Sequence, residues 1–358
     1  MAMAGMNNKS GTPTRVWALL GPHRGDNNQI LALAEALGLP FEEKWLQFNQ
    51  LRRLQPALLG ATLASLTTDA RRQLEGEPPD LTISTGHRSV PVVRALKKRS
   101  GGKMRAVHLG YPRISPACFD LVVPTPEYPV PDAPNVVRIP FALSQLAAKP
   151  FRNPAELETI ETLPRPRRLF VLGGPTLYWE LPEPLMMASL LQLIAIAMRS
   201  GGSVLAIGSP RTPARLLEMV SGELAKAAVP NFMAPREGMP SYAAMIGTAD
   251  EIYVTADSVA MVADAVNTGK PVGIIPIAKS PLGKAATAFA DRLRPGKRLF
   301  PRDLRFFWAS LREHGFGGTI QEPRASDPPD FTSEIAERVR LLLELPPVRA
   351  RAGRDIAR

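Results

Sequence analysis

The chain has one cysteine, Cys118, in 358 residues. That excludes an internal disulfide framework and fits a reducing compartment. Its four histidines, His23, His87, His108 and His314, are scattered. Without metal-ligand spacing or a cysteine pair beside them, no metal site is expected. Aromatic residues make up only 6% and are not interleaved with basic ones, which argues against a nucleic-acid groove. Long apolar runs are absent too. The longest, Leu185–Met198, is too short to span a bilayer, contains Gln192 and reads as a buried helix. The N-terminal MAMAGMNNKS is polar, so no secretory signal is expected and the location read from sequence is cytoplasmic. No G-x-S-x-G elbow, kinase signature, P-loop or Asp-x-Asp pair is present.

What is there is an ordinary globular composition, 45% hydrophobic and 22% charged, with length enough for two cores. Short apolar runs alternate with helical patterns, which predicts parallel α/β architecture in both halves. Strands are expected at 16–21, 44–48, 81–85, 104–109, 121–124 and 136–139, with helices at 30–37, 58–74 and 90–99. A second series of strands is expected at 169–172, 203–207, 231–234, 251–255 and 271–277. Helices at 185–198, 214–228, 242–247, 259–268 and 303–313 separate or follow these, and 334–345 reads as a terminal helix. The expected domains are a Rossmann-like first domain over 1–148 and a linker over 149–167. A second Rossmann-like domain follows over 168–320, then a loop, helix and basic tail over 321–358.

Net charge is +11, and the excess leans to the first half. Residues 88–113 hold Arg88, Arg94, Lys97, Lys98, Arg99, Lys103, Arg105 and Arg113 with no acid among them. Arg94, Lys97, Lys98 and Arg99 are candidates for contact with an anionic membrane surface or a polyanion. The competing reading is a helix end whose cations complement the macrodipole.

Two stretches carry candidate chemistry. "LLGPHRGDNNQILALAEALG", 19–38, reads as strand, glycine loop and helix, placing His23 and Asp26 at a sheet edge where ligands bind in open α/β folds. Asp26 is equally suited to capping the helix. "STGHRSVP" places His87 at another strand end. In the second half, "SYAAMIGTADEIYVTADSVAMVADAVNTGKPVGIIPI" reads as a buried strand, a small-residue turn and a helix. There Asp257 or Ser258 is expected to cap the helix and leave backbone N–H groups for an anion such as a diphosphate. Asp264, two turns further on, is placed to take ribose hydroxyls.

"ADEIYVTADSVAMVADAVNTGKPV" resembles the bacterial relatives of the plant mitochondrial-fission factor called elongated mitochondria. The resemblance extends to "GDNNQILALAEALG", "HLGYPRI", "VLGGPT" and "SPRTP", and so over most of 16–315. Bacterial members of that family are described as nucleoside-diphosphate-sugar proteins. In pattern the family is similar to glycosyltransferases of the two-Rossmann-domain GT-B class. Among them, the transferase acting on the lipid-linked peptidoglycan precursor shares the order of strand, small turn, helix, acid, glycine and proline. The resemblance implies two Rossmann-like domains facing a cleft, and a nucleoside-diphosphate sugar as co-substrate with no other cofactor. It implies Gly173 and Gly174 for close approach of a diphosphate, with Ser209, Arg211 and Thr212 beside it. Asp257 and Ser258 would offer the helix N-terminus, and Asp264 would hold the donor ribose. Pro210 stands where a further basic residue is expected. Asp26, or His23, would serve as base toward an acceptor, lipid-linked or polyanionic. The rival implication is a non-catalytic adaptor that keeps the fold and recruits protein partners.

Overall fold

The computed structural model describes residues 13–144, 154–235, 241–293, 295 and 301–346. The chain divides into two compact units, one of 1–139 with 330–358, the other of 140–329. Both are α/β with a five-stranded sheet, as the alternation of patterns implied.

The first unit runs β1 (Val16–Leu20), α1 (Arg24–Ala36), β2 (Phe41–Trp45), α2 (Pro56–Leu59), α3 (Thr68–Arg72), β3 (Leu81–Thr85), α4 (Val90–Arg99), β4 (Arg105–Leu109) and β5 (Leu121–Val123). Its strands are all parallel in the order β2-β1-β3-β4-β5. β1 is buried along its whole length because it lies inside the sheet, whereas edge strand β2 is largely exposed. The helix expected over 58–74 is two short ones. Gly60, at a φ of 67°, ends α2, and the Thr67 side chain accepts from Ala70 N to start α3. Val136 makes only a bridge to Val122 where a sixth strand was expected.

The second unit runs α5 (Pro154–Glu161), β6 (Arg167–Leu172), β7 (Trp179–Glu180), α6 (Glu183–Ser200), β8 (Ser203–Gly208), α7 (Ala214–Lys226), β9 (Asn231–Met233), α8 (Tyr242–Thr248), β10 (Glu251–Thr255), α9 (Val259–Val266), β11 (Val272–Ile275), β12 (Ala278–Lys279), α10 (Pro281–Leu293) and α11 (Leu304–Glu313). Its main sheet is parallel in the order β11-β10-β6-β8-β9, and β7 pairs with β12 antiparallel. α6 buries one face through Met186, Leu190, Leu193 and Ile194, while Leu191 and Met198 stay exposed. It is therefore a one-sided helix, not a fully buried one. Among the described residues no helix is long and apolar enough to cross a membrane. Part of the expected linker lies outside the described residues, and α5 occupies the rest.

The last helix, α12 (Phe331–Leu342), belongs to the first unit and packs on α1. Arg340 Nη1 donates to Leu37 O at 2.6 Å and so satisfies a carbonyl that the end of α1 leaves over.

Candidate functional site

The strand order of the second unit reverses at β6 and β10, the position outside the carboxyl ends of the strands where open α/β sheets bind ligands. The loops that follow β6, β8 and β10 are tied together there. Asp257, the second residue after β10, is fully buried. Its Oδ2 accepts from Gly174 N at 2.9 Å and Arg211 Nη2 at 3.1 Å, and its Oδ1 from Thr255 Oγ1 at 2.7 Å. Thr255 Oγ1 accepts in turn from Gly173 N at 2.8 Å. Both glycines are required by this closeness. A Cβ at Gly173 would run into the Asp257 carboxylate, and one at Gly174 would lie 2.5 Å from the Arg211 carbonyl oxygen.

Asp257 is thus a hub and not a cap. Ser258 is the N-cap of α9, its side chain accepting from Met261 N. After β8, Thr212 Oγ1 donates to Leu172 O at 2.9 Å and accepts from Ser209 N at 2.8 Å, shaping the 209–212 turn. Arg211 Nη1 donates to Gly174 O at 2.9 Å and Pro175 O at 3.4 Å. With 46% of its side chain exposed, the guanidinium keeps donors of its five for an outside acceptor.

Asp264 lies on α9 and is only 6% exposed. Its Oδ1 accepts from Ser144 Oγ at 2.5 Å, and the Tyr242 phenol, its oxygen buried, faces the same carboxylate. Burial outweighs the Ser144 hydrogen bond and the facing Tyr242 phenol, and pushes the Asp264 carboxyl up to about 6. The same burial, with the Asp264 charge, raises the Tyr242 phenol well above its usual value. Trp179 packs edge-on against Trp308 with ring centroids 4.7 Å apart, and Trp308 Nε1 donates to Ala256 O at 2.9 Å, so both rings brace this edge from within.

In the first unit the Asn27 side chain holds the opening loop. α1 starts at Arg24, with His23 at the N-cap making no side-chain capping bond. Asp26 falls inside the first turn, half-buried, so it is not the cap that its loop position suggested. The buried Asn27 amide instead clamps Gly21 by both backbone groups, Oδ1 accepting from Gly21 N and Nδ2 donating to Gly21 O, each at 2.8 Å. Asn27→Ala should lower first-unit stability in urea unfolding by ~2 kcal/mol, because it removes both bonds from a part-buried backbone. His87 follows β3, and burial with the Arg113 and Arg88 charges pushes its imidazole down to about 4. Of the basic residues at the far end of α4, Lys97 Nζ pairs with Asp120 Oδ2 at 2.6 Å. Arg99 donates to Leu74 O at 2.9 Å and Gly76 O at 2.5 Å. Arg94 is half-buried and Lys98 exposed. Lys97 and Arg99 therefore tie α4 to the rest of the unit, a role that neither the surface-contact reading nor the macrodipole reading described.

The family model for mitochondrial fission ELM1 matches residues 24–343. The chain belongs to the ELM1 family. The ELM1 protein of Arabidopsis thaliana is 25% identical over 247 residues, which span 61% of this chain and 56% of that protein. Among solved structures, the UDP-GlcNAc 2-epimerase of Methanocaldococcus jannaschii is similar at a TM-score of 0.52 and 10% identity, over 92% of this chain and 100% of that one. The epimerase of Neisseria meningitidis bound to UDP-GlcNAc gives 0.52 and 12% over the same shares. At such identities the likeness concerns the fold, and that fold is GT-B-like, as the family resemblance implied.

Of the residues that the ELM1 resemblance implied for a donor site, Gly173, Gly174, Ser209, Arg211, Thr212, Asp257 and Ser258 meet at one sheet edge in this family member, while Asp264, further along α9, bonds to Ser144 instead. Thr255, Tyr242 and Ser144 were not legible as partners. Thr255 reads as one more β-branched strand residue, and Ser144 lies 120 positions from the carboxylate it meets.

Proposed function

We propose that the second unit binds a nucleoside-diphosphate sugar at the β6–β10 edge and that the protein transfers the sugar to an acceptor. The observation that carries this reading is Arg211, fixed by a buried carboxylate and two carbonyls yet half exposed beside the Gly173-Gly174 turn. Asp257 offsets most of its charge. Gly173 N and Gly174 N are already given to Thr255 and Asp257, so phosphate falls to the exposed side of Arg211 and to the N-terminus of α9. Asp264 takes a ribose hydroxyl through the carboxylate that Ser144 now shares. The meningococcal epimerase, bound to UDP-GlcNAc, supports a nucleotide sugar as the ligand class for this fold. Acceptor chemistry falls to the first unit, where Asp26 and His23 sit at the mouth of the opening loop. This reading calls for no metal, since Arg211 and the N-terminus of α9 supply the positive end for the donor phosphates.

The test is a thermal shift with UDP, ADP and GDP. A nucleoside diphosphate at a hundredfold excess over its Kd stabilises the native protein by ~2.7 kcal/mol. Arg211→Gln should weaken that binding by about tenfold, the worth of a charge-assisted hydrogen bond. Asp26→Asn should leave binding intact and remove turnover. If none of the three shifts the midpoint at millimolar concentration, the transferase reading fails. The adaptor reading, in which the fold is kept and partners are recruited, then takes its place.

A further inference from the structure

The basic stretch 88–113 divides in the structure, and the half that ties down α4 is not the half that matters most. In the first unit the strand order reverses between β1 and β3, which makes the carboxyl end of β3 a ligand position in its own right. The loop after β3 carries His87 and Arg88, and the one after β4 carries Arg113. The register pairs Thr85 with Leu109, so these two loops leave the sheet side by side. His87 lies within Coulombic reach of both Arg88 and Arg113.

Among the described residues neither guanidinium is paired with a carboxylate, and the buried Arg88 Nε has no hydrogen-bond partner. Two guanidiniums beside one imidazole and without a carboxylate partner make a positive edge that an anion would complement. The backbone is committed to it as well. Arg113 has a φ of 58°, a left-handed conformation that costs a residue with a side chain, and Gly86 and Gly110 flank the edge at 70° and 87°. Behind them, Ser89 spends its hydroxyl on Thr85 O and Gly86 O, leaving the ten-residue α4 without a side-chain cap.

We propose that the first unit binds a phosphate group between Arg88 and Arg113, with His87 beside it and the first turn of α4 behind. Two guanidinium forks match the charge and the oxygens of a phosphate dianion. Its role as the phosphate of an acceptor rests on the transferase reading; the binding itself does not.

Equilibrium dialysis of radiolabelled inorganic phosphate at fixed ionic strength tests it on the full chain. Arg88→Gln and Arg113→Gln should each weaken binding at least tenfold, while Lys103→Gln, an exposed cation of the same stretch, changes nothing. Arg113→Gly separates site from scaffold: glycine tolerates the left-handed backbone, so phosphate binding falls while the thermal midpoint holds or rises. Failure of the chain to bind phosphate overturns the proposal. So does equal binding by all these variants, or loss through Arg211→Gln alone. A lowered midpoint in Arg113→Gly with binding retained does so too. The nucleoside-diphosphate shift, read on the same variants, can fail while Arg88-dependent phosphate binding persists, so the two readings fall separately. Cosedimentation with phosphatidic acid vesicles, competed by glucose 1-phosphate, distinguishes the source. Arg88-dependent sedimentation supports a lipid headgroup, and displacement of phosphate by the sugar phosphate without sedimentation supports a soluble ester.

Discussion

Asp257→Ala should destabilise the second unit by ~4 kcal/mol, the largest loss expected from any single side chain at the β6–β10 edge. The carboxylate is fully buried and accepts from Gly174 N, Thr255 Oγ1 and Arg211 Nη2. Truncation leaves the first two as buried donors without an acceptor, each worth about 1–3 kcal/mol. Arg211 adds little, since its half-exposed head turns to water and keeps its bonds to Gly174 O and Pro175 O. Asp257→Asn separates the terms. It keeps the shape and one acceptor oxygen for Gly174 N, so its cost should be less than half that of the alanine variant. Urea unfolding followed by tryptophan fluorescence measures this, with Trp179 and Trp308 in the second unit as reporters beside Trp17 and Trp45 in the first. A cost below ~1 kcal/mol for Asp257→Ala, less than one stranded buried donor, would show that the three loops hold each other without it.

That hub marks where the sequence stops being readable. The stretch around Asp257 is conspicuous because a buried strand, a small turn and an apolar helix follow one another at fixed spacing. β10 and β3 fall where their apolar runs place them, since both lie inside their sheets. β2 lies three residues ahead of its expected start because an edge strand with exposed glutamates carries no apolar run, and the nearest run follows it. α10 leaves no pattern because its buried face is Gly283, Thr287 and Ala290, too small to register as an apolar stripe. Roles are harder than places. Asp257 and Ser258 are equally good caps by residue type, and only the approach of β6 decides that Asp257 turns inward. Asp26 and Asn27 are likewise both plausible at the head of α1. The amide wins the structural task because it alone can accept from and donate to Gly21 at once.

Asp264→Asn should make the protein more stable at pH 7.5 and less able to bind a nucleotide. The carboxyl is pushed from its ordinary value of 3.8 up to about 6 because burial disfavours its charged form more than the Ser144 hydrogen bond and the facing Tyr242 phenol favour it. Between those two values the native protein holds a proton that the unfolded chain has released, so stability falls as pH rises from about 4 to about 6 and is flat above. The gap corresponds to ~3 kcal/mol, an upper bound on what a neutral isostere recovers at pH 7.5. The introduced amide oxygen would still accept from Ser144 Oγ, so the gain should reach ~2 kcal/mol, or roughly 5 °C in the midpoint of a unit this size. Below about pH 4 the wild-type carboxyl is protonated in both states, and the two proteins should melt together. On the proposed reading, that stability cost is what keeps a carboxylate available to the nucleotide. The nucleoside-diphosphate shift should accordingly vanish in Asp264→Asn at every pH. In the wild type, affinity should decline below about pH 6 as the ribose acceptor is neutralised. An asparagine variant that is stabilised yet binds UDP, ADP or GDP as before would remove Asp264 from the site and leave Arg211 and the α9 terminus to account for the ligand.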